Sequence, residues 1–323
     1  MIGRSGQVAK SLVERAPDSV SLLVAGRPDV NFEKPESLRS LVSDSEPDIV
    51  INAAAYTAVD AAEGDQEAAW QANAFAPGVL AEACARKGAK FIHLSTDFVF
   101  DGTAGRPYRE TDATNPQSVY GRSKAAGEAA VLAADGPSVT VRTAWVYSPF
   151  GKNFAKTIMR LCAERDHLRV VADQKGNPTS ALDLADALFS LASQHAAWPQ
   201  SPSLLHLAGN GSTSRHGFAQ AIAEQLPRQP MIEAIATHEL PTPAQRPADS
   251  RLDSTLAQSE FGITLPDWRD SVHAAVDRLI RETAYKAGQK KAARRQLKVS
   301  RRWMRPLTGR RSGSRKDNSQ TEF

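Results

Sequence analysis

Three side chains near the middle of the chain carry groups that could reduce a carbonyl. Tyr120 and Lys124 are four residues apart in a stretch with helical character, and Thr96 ends an earlier apolar run. Positions four apart share one face of a helix, so the phenol and the ammonium would point into the same crevice. A free phenol has a pKa of about 10, which a neighbouring ammonium lowers. We therefore predict that Tyr120 protonates a carbonyl oxygen that Thr96 also hydrogen-bonds.

A glycine turn at the start of the chain could bind a dinucleotide. Gly3, Gly6 and Ala9 fit the G-x-x-G-x-x-[G/A] form, in which glycine lets the backbone turn tightly and approach a pyrophosphate. The helix that follows would offer free N–H groups to the anion. On the turn alone, a glycine-containing surface turn explains the pattern equally well. The candidate cofactor contacts in this turn are Gly3, Ser5, Gly6, Gln7 and Val8.

Two later segments bear on the same cofactor. The second predicted strand ends at Arg27 without an acid, and a guanidinium there could pair with the 2′-phosphate of NADPH. A solvated surface arginine is the equally weighted alternative, and Asp29, two residues on, leaves NADH use open. Small side chains at Ala53, Ala54 and Ala55 would let the backbone lie flat against adenine and ribose.

Alternating apolar runs and helical patterns position these residues. Short runs typical of buried parallel strands lie at 21–25, 48–52, 91–95, 139–142 and 168–172, with helical patterns at 7–15, 67–86 and 118–134. Such alternation predicts an α/β fold, a Rossmann-like doubly wound parallel sheet, with a smaller α/β substrate-binding domain over its strand ends. Only Met1 and Ile2 precede the glycine turn, so we expect the first strand to be truncated. A translation start upstream of Met1 is the favoured explanation, and a truncated, unstable protein is the other.

The alternation of predicted strands and helices becomes irregular after Trp145, which suggests domain boundaries. We predict a dinucleotide-binding Rossmann domain over 1–145, to which 170–195 returns, and a substrate-binding domain formed by 146–169 and 196–282. The remaining 283–323 reads as a basic, disordered tail, within which 286–298 could form a basic helix.

Charge is distributed unevenly along the 323 residues. The net charge is +4, but residues 284–323 hold 13 Lys or Arg and two acids, which leaves the rest at −7. The basic character of the whole chain is therefore no argument that its body binds nucleic acid. We predict that the tail is a solvated segment. The alternative is that it binds an anionic surface, with Trp303 and Met304 as an apolar anchor. Two cysteines, no apolar run near the roughly 20 residues of a membrane span and no signal-like start favour a cytoplasmic protein.

Longer blocks of sequence resemble a known family. The chain is similar to the extended short-chain dehydrogenases/reductases and, within them, to the dTDP-4-dehydrorhamnose reductase family, from about Gly3 to Ile280. The blocks that carry the resemblance are residues 3–8, 52–60, 94–102, 119–124, 142–147, 153–156, 173–179 and 246–252. Arg215 departs from the pattern, since relatives often carry an aromatic residue there.

The resemblance implies roles for individual residues. Thr96, Tyr120 and Lys124 would form the catalytic trio, with Tyr120 and Lys124 also contacting the cofactor and Lys124 holding the nicotinamide ribose. The implied substrate contacts are Asp97, Trp145, Asn153, Gln174, Pro178 and Arg246. Trp145 would place an apolar face against the sugar, and Arg246 suits a diphosphate.

The function that the resemblance implies is NADPH-dependent reduction of the C4 keto group of dTDP-4-dehydro-β-L-rhamnose, in the supply of rhamnose for a cell-surface polysaccharide. It also leaves open a homodimer and a Mg²⁺ ion for which no ligands could be assigned. Two other functions remain: a related nucleotide-sugar epimerase or dehydratase, which retains its cofactor, and a non-catalytic NADP-binding regulatory subunit.

Overall fold

The computed structural model describes the backbone of residues 1–303 and the side chains of residues 1–285. Its largest sheet has four parallel strands in the order β1-β2-β3-β8, and three two-stranded sheets pair β10 with β5, β4 with β7 and β6 with β9. The strands are β1 (Ile49–Asn52), β2 (Lys90–Thr96), β3 (Ser138–Thr143), β4 (Val146–Tyr147), β5 (His167–Val171), β6 (Lys175–Gly176), β7 (Thr179–Ser180), β8 (Ser203–His206), β9 (Thr213–Ser214) and β10 (Met231–Ile235).

The segment before the glycine turn lies beside this large sheet. Ile2 forms parallel bridges with both Ala25 and Asn52. Its N–H donates to the Ile51 carbonyl at 2.8 Å, and its own carbonyl accepts from Ala53 at 2.9 Å. The predicted strand at 21–25 is reduced to the bridge at Ala25, whose N–H donates to the Met1 carbonyl at 2.9 Å. The predicted runs at 48–52, 91–95, 139–142 and 168–172 are confirmed as strands β1, β2, β3 and β5.

Helices surround the sheet and carry several of the candidate residues. They are α1 (Gln7–Arg15), α2 (Pro35–Ser45), α3 (Val59–Ala62), α4 (Gln66–Trp70), α5 (Ala76–Lys87), α6 (Val119–Leu132), α7 (Phe154–Glu164), α8 (Ala181–Ser193), α9 (Arg215–Ala223), α10 (Thr255–Phe261) and α11 (Trp268–Trp303). A π-helical turn, Gln71–Phe75, joins α4 to α5, so the predicted helix at 67–86 is continuous. Short 3₁₀ turns lie at Asp97–Val99, His195–Ala197 and Thr237–Glu239.

Both faces of the large sheet are covered. On one face α1 packs beside α8, and Leu12, Leu184 and Leu188 form a buried cluster with Ile92 and Val139 of the strands. On the other face α2 packs beside α5, and their apolar residues bury the opposite sides of β1 and β2. Parallel strands buried from both sides explain the near-continuous apolar runs in the sequence. The predicted doubly wound α/β fold is confirmed.

One strand of the large sheet lies in a segment that we assigned to the substrate-binding domain. Ser203–His206 is strand β8 and pairs in parallel with β3. The segment is only four residues long, and its leucines do not indicate which strand it pairs with. Residues Met1–Arg278 pack as one compact unit, and the division of this unit into two domains stays a prediction.

The second unit comprises Leu279–Phe323. The backbone of α11 continues as a helix to Trp303, where we expected a disordered tail from residue 283, and the helix predicted at 286–298 falls inside it. The predicted disorder of 304–323 lies outside the described residues, as does the proposed contact of Met304 with an anionic surface. Among the helices that the structure describes, none is both long and apolar enough to cross a bilayer.

Candidate active site

One large cavity opens at the carboxyl ends of the central strands. Its volume is about 1410 Å³, above the roughly 300–1,000 Å³ of a typical small-ligand site, so a dinucleotide and a second ligand would both fit. Its lining includes most of the residues predicted from the sequence, namely Gly3, Ser5, Gly6, Gln7, Val8, Arg27, Ala53, Ala54, Ala55, Thr96, Asp97, Tyr120, Lys124, Trp145 and Arg246. Asn153, Gln174 and Pro178 are not among the residues that line it.

The predicted catalytic trio meets in this cavity. Thr96 is the last residue of β2, and Tyr120 and Lys124 lie in the first two turns of α6. The hydroxyl of Ser118 caps α6 by accepting from the Gly121 N–H at 3.1 Å. A Cβ at Gly121 would lie 2.3 Å from the Phe98 carbonyl oxygen, so glycine is required where α6 meets the end of β2. This close approach places the phenol beside Thr96.

The electrostatics of the pair differ from our prediction. Burial raises the pKa of Tyr120 to about 12, although the Thr96 hydroxyl works in the opposite direction. Burial also lowers the pKa of Lys124 to about 8. The Lys124 ammonium donates to the Leu94 carbonyl at 2.5 Å, and it makes no hydrogen bond with the phenol. The expected lowering of the Tyr120 pKa by Lys124 is therefore not found, because loss of water dominates at the phenol.

Asp97 is a buried acid next to the trio. It accepts hydrogen bonds from Ser250 Oγ at 2.6 Å and from Thr96 Oγ1 at 3.0 Å. Burial raises the pKa of its carboxyl to about 6, and the hydrogen bond from Ser250 opposes that rise. Asp97 thus connects the strand end at Thr96 to the loop that carries Ser250.

Gly3 and Gly6 of the glycine turn differ in backbone conformation and in their surroundings. Gly3 has a φ of +122°, and a Cβ there would lie 3.2 Å from the Ala53 carbonyl carbon. Gly6 has an ordinary φ of −67° as the N-cap of α1, and no atom lies within 4 Å of its would-be Cβ. The backbone therefore requires glycine at Gly3, whereas at Gly6 the missing side chain leaves open space next to a helix N-terminus. This arrangement fits a pyrophosphate.

Charges at the far end of the turn bear on the choice of cofactor. Asp29, the acid that could have held a ribose 2′-hydroxyl, is ion-paired with Arg4. Arg27 lines the cavity and is exposed. Among the described residues, no ion pair or side-chain hydrogen bond engages its guanidinium. The residues present therefore fit NADP, with Arg27 free for a 2′-phosphate.

Three residues that we predicted to bind the substrate contact other protein groups instead. The Asn153 amide donates to Gln7 Oε1 at 2.9 Å and to the Ser148 carbonyl at 2.8 Å, and its oxygen caps α7. Gln174 is buried and donates to Thr237 Oγ1 at 3.1 Å. Pro178 packs its carbonyl against Gly209. Their contact with a substrate stays a prediction that the cavity does not support.

The other side of the cavity contains a tryptophan and two arginines. Trp145 has a φ of +47°, a strained value for a bulky residue. Arg246 is paired with Asp60 through contacts of 2.7 and 3.0 Å. Arg215, which sequence reasoning noted only as a departure from the family pattern, lies with its Cζ 3.5 Å from the centre of the Trp145 ring. Its cavity position could not be found from local sequence, because it depends on packing between distant segments.

No metal site is evident in the part of the chain that the structure describes. Within it, no three His, Cys, Asp or Glu residues lie close enough to hold an ion together. The Mg²⁺ that the resemblance left open therefore has no ligand set among these residues.

The doubly wound fold, the glycine turn and the Thr–Tyr–Lys cavity together define a dinucleotide-dependent oxidoreductase of the short-chain type. Residues 1–281 match the family model described as "RmlD substrate binding domain". The chain belongs to the dTDP-4-dehydrorhamnose reductase family, as the resemblance predicted.

Curated relatives and solved structures agree with this assignment. The chain is 43% identical over 290 residues to a dTDP-4-dehydrorhamnose reductase of Burkholderia thailandensis, covering 86% of this chain and 97% of the relative. A Mycobacterium tuberculosis relative of the same name is 40% identical, with 85% and 90% covered. The solved structure of the Clostridium acetobutylicum protein has a TM-score of 0.82 and 33% identity, covering 86% and 98%. That of Bacillus anthracis, a complex with NADP, has a TM-score of 0.81 and 30% identity, covering 86% and 97%.

Proposed function

We propose that this chain reduces the C4 keto group of dTDP-4-dehydro-β-L-rhamnose to a hydroxyl, giving dTDP-L-rhamnose. The observation that carries the proposal is the meeting of Thr96, Tyr120 and Lys124 in one cavity with the glycine turn at Gly3. The names of the relatives supply the substrate, and the NADP complex of the Bacillus anthracis relative supports the cofactor.

The chemistry of the step balances with these groups. Bound NADPH would supply the hydride that C4 gains, and NADP⁺ would be left. The Tyr120 hydroxyl would give its proton to O4, so that the carbonyl becomes a hydroxyl. The Thr96 hydroxyl, which donates to Asp97 in the structure, would turn to donate to the same oxygen and so orient the carbonyl. Lys124, when protonated, stabilises the phenolate that Tyr120 becomes and holds the nicotinamide ribose.

The high pKa of the buried Tyr120 suits its role as a proton donor. A phenol with a pKa of about 12 remains protonated throughout the neutral range, so the proton is in place when the substrate arrives. Negative charge develops on O4 only as the hydride is transferred, and the positive charges of Lys124 and the oxidised nicotinamide then favour the phenolate. Transfer of the proton is thereby coupled to transfer of the hydride.

The two ends of the cavity would hold the two ligands. Gly3, Gly6, Arg27 and the small residues after β1 would bind NADPH, with Arg27 pairing with the 2′-phosphate. Asp97, Trp145 and Arg246 would contact the nucleotide-sugar.

Net consumption of cofactor tests the proposal and separates the alternatives. NADPH absorbance would be followed with dTDP-4-dehydro-L-rhamnose generated in situ, for the natural sequence and for Tyr120→Phe. We expect stoichiometric oxidation that the variant loses by about 100- to 10,000-fold, with NADPH affinity retained. Product without net oxidation would indicate an epimerase or dehydratase, and cofactor binding without turnover would indicate a regulatory subunit. Either result would overturn the proposal.

A further inference from the structure

The guanidinium of Arg215 faces the cavity and makes no direct polar contact there. Among the residues that the structure describes, no carboxylate forms an ion pair with it and no acceptor takes a hydrogen bond from its side chain. Its backbone N–H donates to the Gln174 carbonyl at 3.3 Å. Arg215 is also the first residue of α9, where the helix dipole disfavours a cation and favours an anion. An unpaired guanidinium at this position calls for an anionic partner.

Rigid packing holds Arg215 in this position. Its Cζ lies 3.5 Å from the centre of the Trp145 ring and 5.5 Å from that of Phe154. A Cβ at Gly176 would lie 2.4 Å from Trp145 Cε2, so the indole is closely backed there. Stacking on aromatic faces is typical of arginine and leaves the edge of the guanidinium free to donate hydrogen bonds. The donors of Arg215 are thus preorganised towards the cavity.

The charges around Arg215 leave its guanidinium available to an anion. Burial lowers the pKa of Arg215 to about 10, the Asp97 carboxylate opposes that change, and the positive charge of Arg246 adds to it. Asp97 thus acts on Arg215 through space, but the hydrogen bonds to its carboxylate come from Ser250 and Thr96. Arg246 is ion-paired with Asp60. Arg215 therefore keeps its hydrogen-bond donors available, between the catalytic end of the cavity and Arg246.

We propose that Arg215, together with Arg246, binds the diphosphate of the nucleotide-sugar, which makes it a substrate-binding residue that the sequence did not predict. The inference rests on the proposed function for the identity of the substrate. Guanidinium and phosphate match bidentately, and the group would occupy the space between two arginines that otherwise repel each other. The pyrophosphate of the cofactor is the other source of this chemistry, but the glycine turn at Gly3 and the N-terminus of α1 already provide a site for it.

The test measures binding without turnover. Isothermal titration of the full chain with dTDP and, separately, with NADPH would compare the natural sequence with Arg215→Met, which keeps an apolar stem over Trp145. We expect the dissociation constant for dTDP to rise about tenfold or more, as for loss of a charged hydrogen-bonding group, and that for NADPH to stay within about twofold. Arg269→Met is the matched control, because Arg269 also stacks on a tryptophan, Trp268, at 4.6 Å, but does not line the cavity.

The dissociation constants for dTDP and NADPH together test whether Arg215 binds the diphosphate. Weakened dTDP binding with unchanged NADPH binding supports the inference. Unchanged dTDP binding, equal weakening of both ligands, or weakening of NADPH alone would overturn it. If Arg215→Met does not fold, Arg215→Lys and Arg215→Gln replace it, and dTDP must then bind the lysine variant more tightly than the glutamine variant. Failure of the proposed function is a separate result, namely no oxidation of NADPH by the natural sequence.

Discussion

The amine of Lys124 lies 3.3 Å from Nε2 of the fully buried His93. Burial holds the pKa of His93 well below its usual range, so the imidazole is neutral and only one of its nitrogens carries a proton. Asn52 Oδ1 accepts from the Ala54 N–H, which directs the amide Nδ2 at His93 Nδ1 as a donor. With the amide in this orientation, the imidazole proton would be on Nε2 and would face Lys124. Such an arrangement disfavours the ammonium, in the same direction as the burial that lowers the pKa of Lys124.

The pH dependence of the reaction should reflect this pair. The pKa of Lys124 is about 8, and we propose that catalysis needs the protonated amine. We expect kcat/KM to be level between about pH 6, where Asp97 becomes ionised, and about pH 8, and to fall above pH 8. His93→Phe removes the opposing N–H and should move this fall to higher pH. Profiles of kcat/KM against pH for both proteins check the prediction, and superimposable curves would contradict it.

The two glycines of the turn should respond differently to alanine. At Gly3 a side chain meets the Ala53 backbone in a left-handed conformation, so Gly3→Ala should lower the free energy of unfolding by about 1–3 kcal/mol. At Gly6 no protein atom lies near the added methyl group, so Gly6→Ala should cost less than about 1 kcal/mol, the difference between glycine and alanine at an N-cap. It should weaken NADPH binding, because the pyrophosphate needs that space. Thermal melts and NADPH titrations distinguish these effects. A loss of stability in Gly6→Ala as large as that in Gly3→Ala, with NADPH binding retained, would contradict the assignment.

Arg27 should determine the preference for NADPH. Asp29 is neutralised by Arg4, so Arg27 is the group available for a 2′-phosphate. We expect Arg27→Ala to weaken NADPH binding about tenfold and to leave NADH binding unchanged. Arg39→Ala is a suitable control, because Arg39 pairs with Glu36 away from the cavity. Equal effects on both cofactors would show that Arg27 does not contact the phosphate.

Asp97 should lower stability while it contributes to function. Its folded pKa of about 6 exceeds the ordinary value of 3.8, so the folded state loses stability as pH rises from about 4 to 6. We expect Asp97→Asn to raise the melting temperature at pH 8 by several degrees, the equivalent of at most about 3 kcal/mol, and to lower kcat/KM. At pH 5 the difference in stability should shrink, since Asp97 is then largely protonated. A variant that melts lower at both pH values would refute this.

Local sequence predicted much of the fold and part of the site. The runs that became β1, β2 and β3 are apolar because both faces of the sheet are buried, and Tyr120 and Lys124 share a cavity because one helical turn separates them. Features that depend on distant segments were not predictable in this way. The pairing of Ser203–His206 with β3 depends on segments that are distant in sequence. The amide of Asn153 likewise donates to Gln7 and to the loop before α7.

Burial accounts for the remaining differences. The spacing of Tyr120 and Lys124 suggested a lowered phenol pKa, but spacing carries no information on how much water reaches the pair. In the folded chain the loss of water outweighs the charge of Lys124. The position of Arg215 against Trp145 likewise depends on the packing of α9, which no local pattern indicates.

Transfer of deuterium from NADPH to the sugar tests the central claim most directly. The chain would be incubated with dTDP-4-dehydro-L-rhamnose and NADPH labelled at the transferring position of its C4, and the product analysed by mass spectrometry and NMR. The account predicts one deuterium at C4 of the sugar for each NADPH oxidised. A product without deuterium, or with deuterium at another carbon, would contradict it.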